Sequence, residues 1–390
     1  MGRRPQGTGA LSQRRDGLWV ARVDVGWTAQ GTRRRVTVSS KSKAEAQRKL
    51  RELQRGIAKG KVPAARSARV TVKSWAETWL PRHATQVRPT TYSTDAGTIR
   101  KWIIPTIGHR RLADLTPADL RALRQAITSA GRTTTTALHS HRVLLKMLKD
   151  ARVEGHLVPD AVMEAPRPRK AANDRDAIPI PDALRILAVA SARPDATRWV
   201  SALLQGNRQG ETLGLTWDRV DLERDLIDVS WQLQWLTEGH ATPDGWEARH
   251  ITGRAWFTRP KTPSSRRSIP IVPWMKAALI TARDQWQENP WGLVWTEDGL
   301  PIRDDKDREQ WREIQREAGT AHPSGRPWHL HEMRHTTATL LVEQGVDRAV
   351  VIAILGQAVL VEAYLHVGHD AARKALEGVA KLLSLEVARA

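Results

Sequence analysis

Two stretches that hold almost no core-forming residues cut this sequence into three parts, so no single core can run through it. Residues 58–69 are mostly Lys, Gly, Ala, Arg and Ser, and residues 166–181 alternate proline with charge. Composition of that kind marks linkers and domain boundaries. A chain of 390 residues has room for two or three domains. The expected division is 1–61, 70–165 and 174–390.

The first part is a local basic module. Residues 1–61 hold 16 Lys/Arg against 4 Asp/Glu, an excess of 12 out of a net +20 for the whole chain. A polyanion binder, nucleic acid before an anionic membrane, is the expected class. Residues 18–25 and 34–38 have β-type composition with partial alternation and are joined by a Gly- and Thr-containing turn region, which predicts a hairpin. Ser42 is a candidate N-cap for a helix over 43–53 that ends near Gly56. Trp19 and Trp27 supply core material, which argues against a disordered basic arm.

The second part reads as nearly all helix, over 72–80, 90–104, 116–129 and 133–154, punctuated by Pro105 and Gly108. Thr116-Pro117 offers an N-cap followed by proline at the first helical position. No catalytic constellation lies there. The chain has no cysteine, which removes disulfides, thiol catalysis and Cys-ligated zinc. The longest apolar run, residues 349–355, is too short to span a bilayer, and the N-terminus has no secretory pattern, so a cytoplasmic protein is expected.

The third part carries the chemistry. Gly206-Asn207-Arg208-Gln209-Gly210-Glu211 opens a helix-like run over 212–215, where an arginine at a helix start can bring its planar fork to a phosphate. Strands are expected at 226–230 and 267–272, with Lys261 on the turn before the second, where an ammonium could protonate a departing alkoxide. His331 and Arg334, three apart in His331-Glu332-Met333-Arg334-His335, share a helical face. His331 and His335 at i,i+4 also allow a metal reading, but the arginine between them disfavours a bound cation. Tyr92 and Tyr364 are the two tyrosines of the chain.

Arg208, Lys261, His331, Arg334 and Tyr364, in this order and at these intervals, resemble the active-site series of the tyrosine recombinases, the phage integrase family. Neighbouring words match as well: Gly210-Glu211, Leu215-Thr216-Trp217, Lys261-Thr262 with Ser265, Arg267 and Ile269-Pro270-Ile271, Leu355-Gly356, and Tyr364-Leu365-His366-Val367. The sequence departs from the family at Gln357, which follows the Leu-Gly pair where His or Trp is usual. It departs again in having seven residues rather than about nine from that position to the tyrosine. A glutamine amide can donate to a phosphate oxygen but cannot carry charge.

The resemblance implies a small α+β arm-type DNA-binding domain, an all-α SAM-like core-binding domain and a mainly α catalytic domain with a small β-sheet. It also implies site-specific recombination of double-stranded DNA, as in integrating or excising a phage or other mobile element, by a homo-tetramer. Arm and core attachment sites are implied partners, with directionality or DNA-bending proteins as further ones. Arg208 and Arg334 would hold the scissile phosphate, His331 would serve in acid/base chemistry, Lys261 would protonate the leaving 5′-hydroxyl, and Tyr364 would be the nucleophile. No metal or cofactor is expected. The rival readings are a catalytically impaired integrase-like DNA-binding protein and a type IB topoisomerase. The last stretch, 370–385, is expected as an amphipathic helix that packs on its own domain or on a neighbouring protomer.

Overall fold

The computed structural model describes residues 9–27, 33–58, 70–172, 175–237, 239–240, 243–260, 266–356 and 369–387. The chain forms two compact units whose main boundary lies between Ala172 and Asn173. Among the described residues, no helix is long and apolar enough to cross a membrane.

The first unit opens with an antiparallel sheet of β1 (Ala10–Gln13), β2 (Trp19–Trp27) and β3 (Arg33–Ser40), in that spatial order. The sequence reading missed β1, a four-residue edge strand with almost no buried side chain. Helix α1 (Lys43–Ala58) lies on the sheet and closes a small core of Val23, Val36 and Leu53. It runs through Gly56 instead of stopping there, since an internal glycine costs a helix only about 1 kcal/mol.

Helices α2 (Val72–Gln86), α3 (Pro89–Thr98), α4 (Ile104–Ile107), α5 (Pro117–Ser129), α6 (Thr134–Val153) and α7 (Asp160–Met163) follow. Capping boxes start two of them: Thr71 with Ser74 begins α2, and Thr116 with Asp119 begins α5. Pro105 does not end the helical path as a proline commonly would. A π-turn over Ile99–Ile103 joins α3 to α4 and keeps Ile99, Ile103 and Ile107 buried on one side.

In the second unit, α8 (Ile180–Ser191), α9 (Ala196–Leu204) and α10 (Gln209–Leu213) precede the strands. Strands β4 (Val220–Asp221) and β5 (Leu226–Asp228) are followed by β6 (Gln232–Trp235), β7 (Ala248–Thr252), β8 (Ala255–Thr258) and β9 (Ser268–Pro270). One antiparallel sheet has the order β4-β5-β9, so the two expected strands pair directly. A second sheet, ordered β6-β8-β7, occupies the connection between them and was not read from the sequence.

Next come α11 (Pro273–Asp284), a small hairpin of β10 (Thr296–Glu297) and β11 (Leu300–Pro301), and α12 (Asp304–Glu317). Helices α13 (Leu330–Glu343), α14 (Arg348–Leu355) and α15 (His369–Val387) complete the unit. Helix α15 packs on its own unit, with Leu376 and Val379 buried against the central core. At this crossing Gly378 leaves room for the Gln344 side chain, whose Oε1 lies 2.0 Å from where a Cβ would stand.

Candidate active site

The site is built where three elements converge on the C-terminal end of α14. A helix leaves its last carbonyls without intrahelical donors, and they carry the negative end of its dipole. Here three arginines cover three consecutive carbonyls. Arg267 Nε donates to Ile354 O at 2.6 Å, Arg334 Nη2 donates to Leu355 O, and Arg208 Nη2 donates to Gly356 O at 3.1 Å. Gly356 makes the turn possible by closing α14 in the left-handed region at φ 57°.

Arg334 is held from below as well, its Nη1 donating to Gly206 O at 2.7 Å. Helix α13 is fixed around it: the Thr336 hydroxyl accepts from Ile178 N–H at 2.8 Å, and the Thr337 hydroxyl donates to Leu203 O at 2.6 Å. Arg334 is only 4% exposed. Burial first, then the nearby Arg208 and Arg267, pull its pKa down to about 9, which leaves it cationic at neutral pH.

Glu211 makes this density of positive charge tolerable. Its carboxylate accepts from Arg208 Nη1 at 2.6 Å and from Arg267 Nη2 at 3.0 Å, and it also caps the Arg208 backbone N–H at 2.9 Å. Burial alone would raise its pKa, but Arg267 and then Arg208 hold it down to about 2. Arg208 keeps about a third of its side chain exposed, so one arginine of the cluster faces solvent while the other two are packed beneath it.

His331 stands one turn before Arg334 on α13, its ring edge-on to His335 at 5.0 Å between centroids. The ring keeps solvent access, yet desolvation by the protein around it, followed by His335, Arg334, Arg175 and Arg208, lowers its pKa to about 4. His331 is therefore neutral at pH 7.

The structure thus brings together Arg208, His331 and Arg334. Lys261, Gln357 and Tyr364 lie outside the described residues. Two contributors went unselected in the sequence, Arg267 and Glu211, although both stand within the matching words around Arg208 and Lys261. The signal for Glu211 was its place three residues after Arg208, a spacing that ordinary helix capping also produces.

Gly206 is a sensitive point of the assembly. It adopts φ +65°, and a Cβ there would lie 2.5 Å from Leu355 Cδ2. Gly206→Ala therefore pays for a left-handed alanine and pushes on the α14 end that the arginines grip. A loss of about 1–3 kcal/mol is expected in denaturant unfolding.

Comparisons with known proteins point the same way. Residues 71–127 match the model of the phage integrase N-terminal SAM-like domain, and residues 183–369 match that of the phage integrase family. The chain is similar to an integrase of Saccharopolyspora erythraea, at 24% identity with 94% of both chains covered. It is also similar to an integrase of Streptomyces ambofaciens, at 25% identity with 91% of this chain and 90% of the relative covered.

Among solved structures, the Tn1549 transposon integrase in complex with a circular intermediate DNA is similar, with TM-score 0.62 and 18% identity over 79% of this chain and 99% of that one. A lambda integrase tetramer bound to a Holliday junction is similar with TM-score 0.57 and 17% identity over 90% of this chain and 95% of that one. At such identities these likenesses speak for the fold.

Proposed function

The chain belongs to the phage integrase family of tyrosine recombinases, and we propose that it is a site-specific DNA recombinase working through a covalent 3′-phosphotyrosyl link to Tyr364. The observation that carries this reading is the gathering of Arg208 and Arg334 at adjacent carbonyls of one helix end, with His331 one turn away. Guanidiniums gathered at one point, with a single carboxylate pairing Arg208 and Arg267 from behind and leaving net positive charge, suit a phosphodiester that gains negative charge in its transition state.

In this mechanism Arg208 and Arg334 bind the non-bridging oxygens of the scissile phosphate. The Tyr364 hydroxyl attacks phosphorus and the bond to the 5′-oxygen breaks. Lys261 gives a proton to that oxygen, and neutral His331 can accept a hydrogen bond or proton from the tyrosine. Gln357 donates its amide to the phosphate. The phosphotyrosyl bond conserves the energy of the phosphodiester, so a 5′-hydroxyl of a second DNA strand reverses the step without a nucleotide or metal. Residues 1–61 serve arm sites, 70–165 core sites and 174–390 the chemistry. Four copies act on two DNA duplexes in the cytoplasm, integrating or excising a mobile element, with accessory DNA-bending or directionality proteins as possible companions.

The test is a suicide-substrate assay in EDTA with nicked duplexes from the flanks of the gene, read as a protein–DNA adduct on a denaturing gel. An adduct is expected. Site-specific binding without one would instead make this chain an impaired, DNA-binding member of the family.

The pKa of His331 adds a pH test. With the group neutral above about pH 4, adduct formation should show no loss attributable to His331 between pH 8 and pH 6. It should fall as the pH approaches 4 and the imidazole protonates. Single-turnover rates on the nicked substrate measure this, and a His331→Gln variant that keeps the same acid limb would refute the assignment.

A further inference from the structure

A second gathering of arginines lies away from the α14 end, around Trp231. The centre of the Arg259 guanidinium is 4.1 Å from the Trp231 ring centroid, that of Arg249 4.6 Å and that of Arg219 5.5 Å. Arg219 is also 5.5 Å from the Phe257 ring. The three come from separate places in the chain: Arg219 ends the short turn Trp217–Arg219, Arg249 lies on β7, and Arg259 follows β8. Arg249 is directly across from Phe257 in the β7–β8 register, and Leu233 is across from Phe257 on β6, so one face of this sheet carries the arrangement.

Among the described residues, the four arginines Arg219, Arg249, Arg259 and Arg266 stand with three carboxylates. Glu247 pairs with Arg259 at 2.9 Å and with Arg266 at 3.0 Å, and Asp218 and Asp228 act on Arg219. Arg249 is exposed, and among the described residues no carboxylate stands within ion-pair distance of it. Like charges drawn to one indole repel each other, and the ring attraction repays each by only about 0.5–2 kcal/mol. Such a cluster gains most when an anion completes it.

Chain connectivity says which anion. Arg259 is two residues before Lys261, and two residues of chain span at most about 7 Å. Arg259 is therefore within short chain reach of Lys261, the residue assigned to the leaving-group oxygen. We propose that Arg249, with Arg219 and Arg259 around Trp231, forms a docking site for a backbone phosphate of bound DNA, outside the scissile position. This rests on the recombinase reading, since that reading puts the DNA beside Lys261. The cation and the flat guanidinium suit a phosphate and carry no base preference.

The test uses the full chain and measures duplex affinity against salt, without requiring cleavage. Arg249→Ala should weaken binding to core-site and unrelated duplexes alike, roughly 3- to 10-fold at low salt, and reduce the log–log salt slope by about 0.9, one phosphate contact. Arg249 is exposed on β7, and Arg249→Lys, which restores the charge without the fork, should recover most of the slope. An unchanged slope in Arg249→Ala overturns the docking site, as does a loss that Arg249→Lys fails to restore. If the wild-type chain binds DNA with this slope but never forms an adduct, the catalytic assignment fails and the docking site stands.

Discussion

Tyr364→Phe should bind its DNA within about twofold of the parent chain and form no covalent adduct, a loss of more than ~10³-fold and of the order expected when a nucleophile is removed. The proposed phosphotyrosyl bond requires a tyrosine, and the chain has two of them. Tyr92 is half-buried, packed on the core of the helical unit beside His83 at 6.4 Å between rings. It belongs to the unit without the arginine cluster, so Tyr92→Phe should retain the adduct. The short connection to Tyr364 is no obstacle to reach. Arg208 holds Gly356 O at 3.1 Å, and the eight residues from Gly356 to Tyr364 could span up to about 28 Å if extended. The cations sit at the start of that span. An adduct surviving in Tyr364→Phe, checked by denaturing gel and by mass of the cross-linked peptide, would move the nucleophile elsewhere.

What could be read from sequence here was order, and what could not was convergence. Arg208, His331 and Arg334 stood out because short words around them keep a fixed sequence, and α13 then sets His331 and Arg334 one turn apart by helical geometry alone. Arg267 stands in such a word too, yet in sequence nothing sets it apart from any polar residue at the edge of a strand. Its role appears only when β9 brings it against α10 and α14, at 2.6 Å from Ile354 O. The β6-β8-β7 sheet was hidden for a different reason. Its strands mix Trp, His, Arg and Gln, and the register slips between His250 and Thr252, which breaks the two-residue period that strand reading depends on. At Pro105 local chemistry argued for a stop, but the path continues through the π-turn with Ile99, Ile103 and Ile107 buried, and apolar burial of that kind favours continuing.

Glu211→Gln should destabilise the second unit by about 3 kcal/mol, which for a unit of this size is a fall of roughly 6–12 °C in the unfolding midpoint. The substitution keeps the shape but removes the negative charge and turns one of two oxygens, each accepting two bonds, into a donor. It leaves Arg267, whose side chain is 6% exposed, and Arg334, at 4%, facing each other without a carboxylate, and a buried charge stripped of its partner is the costly case. The same carboxylate predicts an acid limb. Its folded pKa of about 2 lies below the unfolded value near 4.5, so its stabilisation is complete above pH 4.5 and is lost as the pH falls from there toward 2. The parent chain should therefore lose more stability than the variant across that window, and the two should converge at low pH. A phosphate ligand gives a second readout. If the arginines are what Glu211 restrains, inorganic phosphate should raise the midpoint of Glu211→Gln more than that of the parent, because the anion replaces the missing charge. Equal midpoints at neutral pH, with no difference in the acid limb, would mean that the α14 carbonyls alone hold the arginine cluster together.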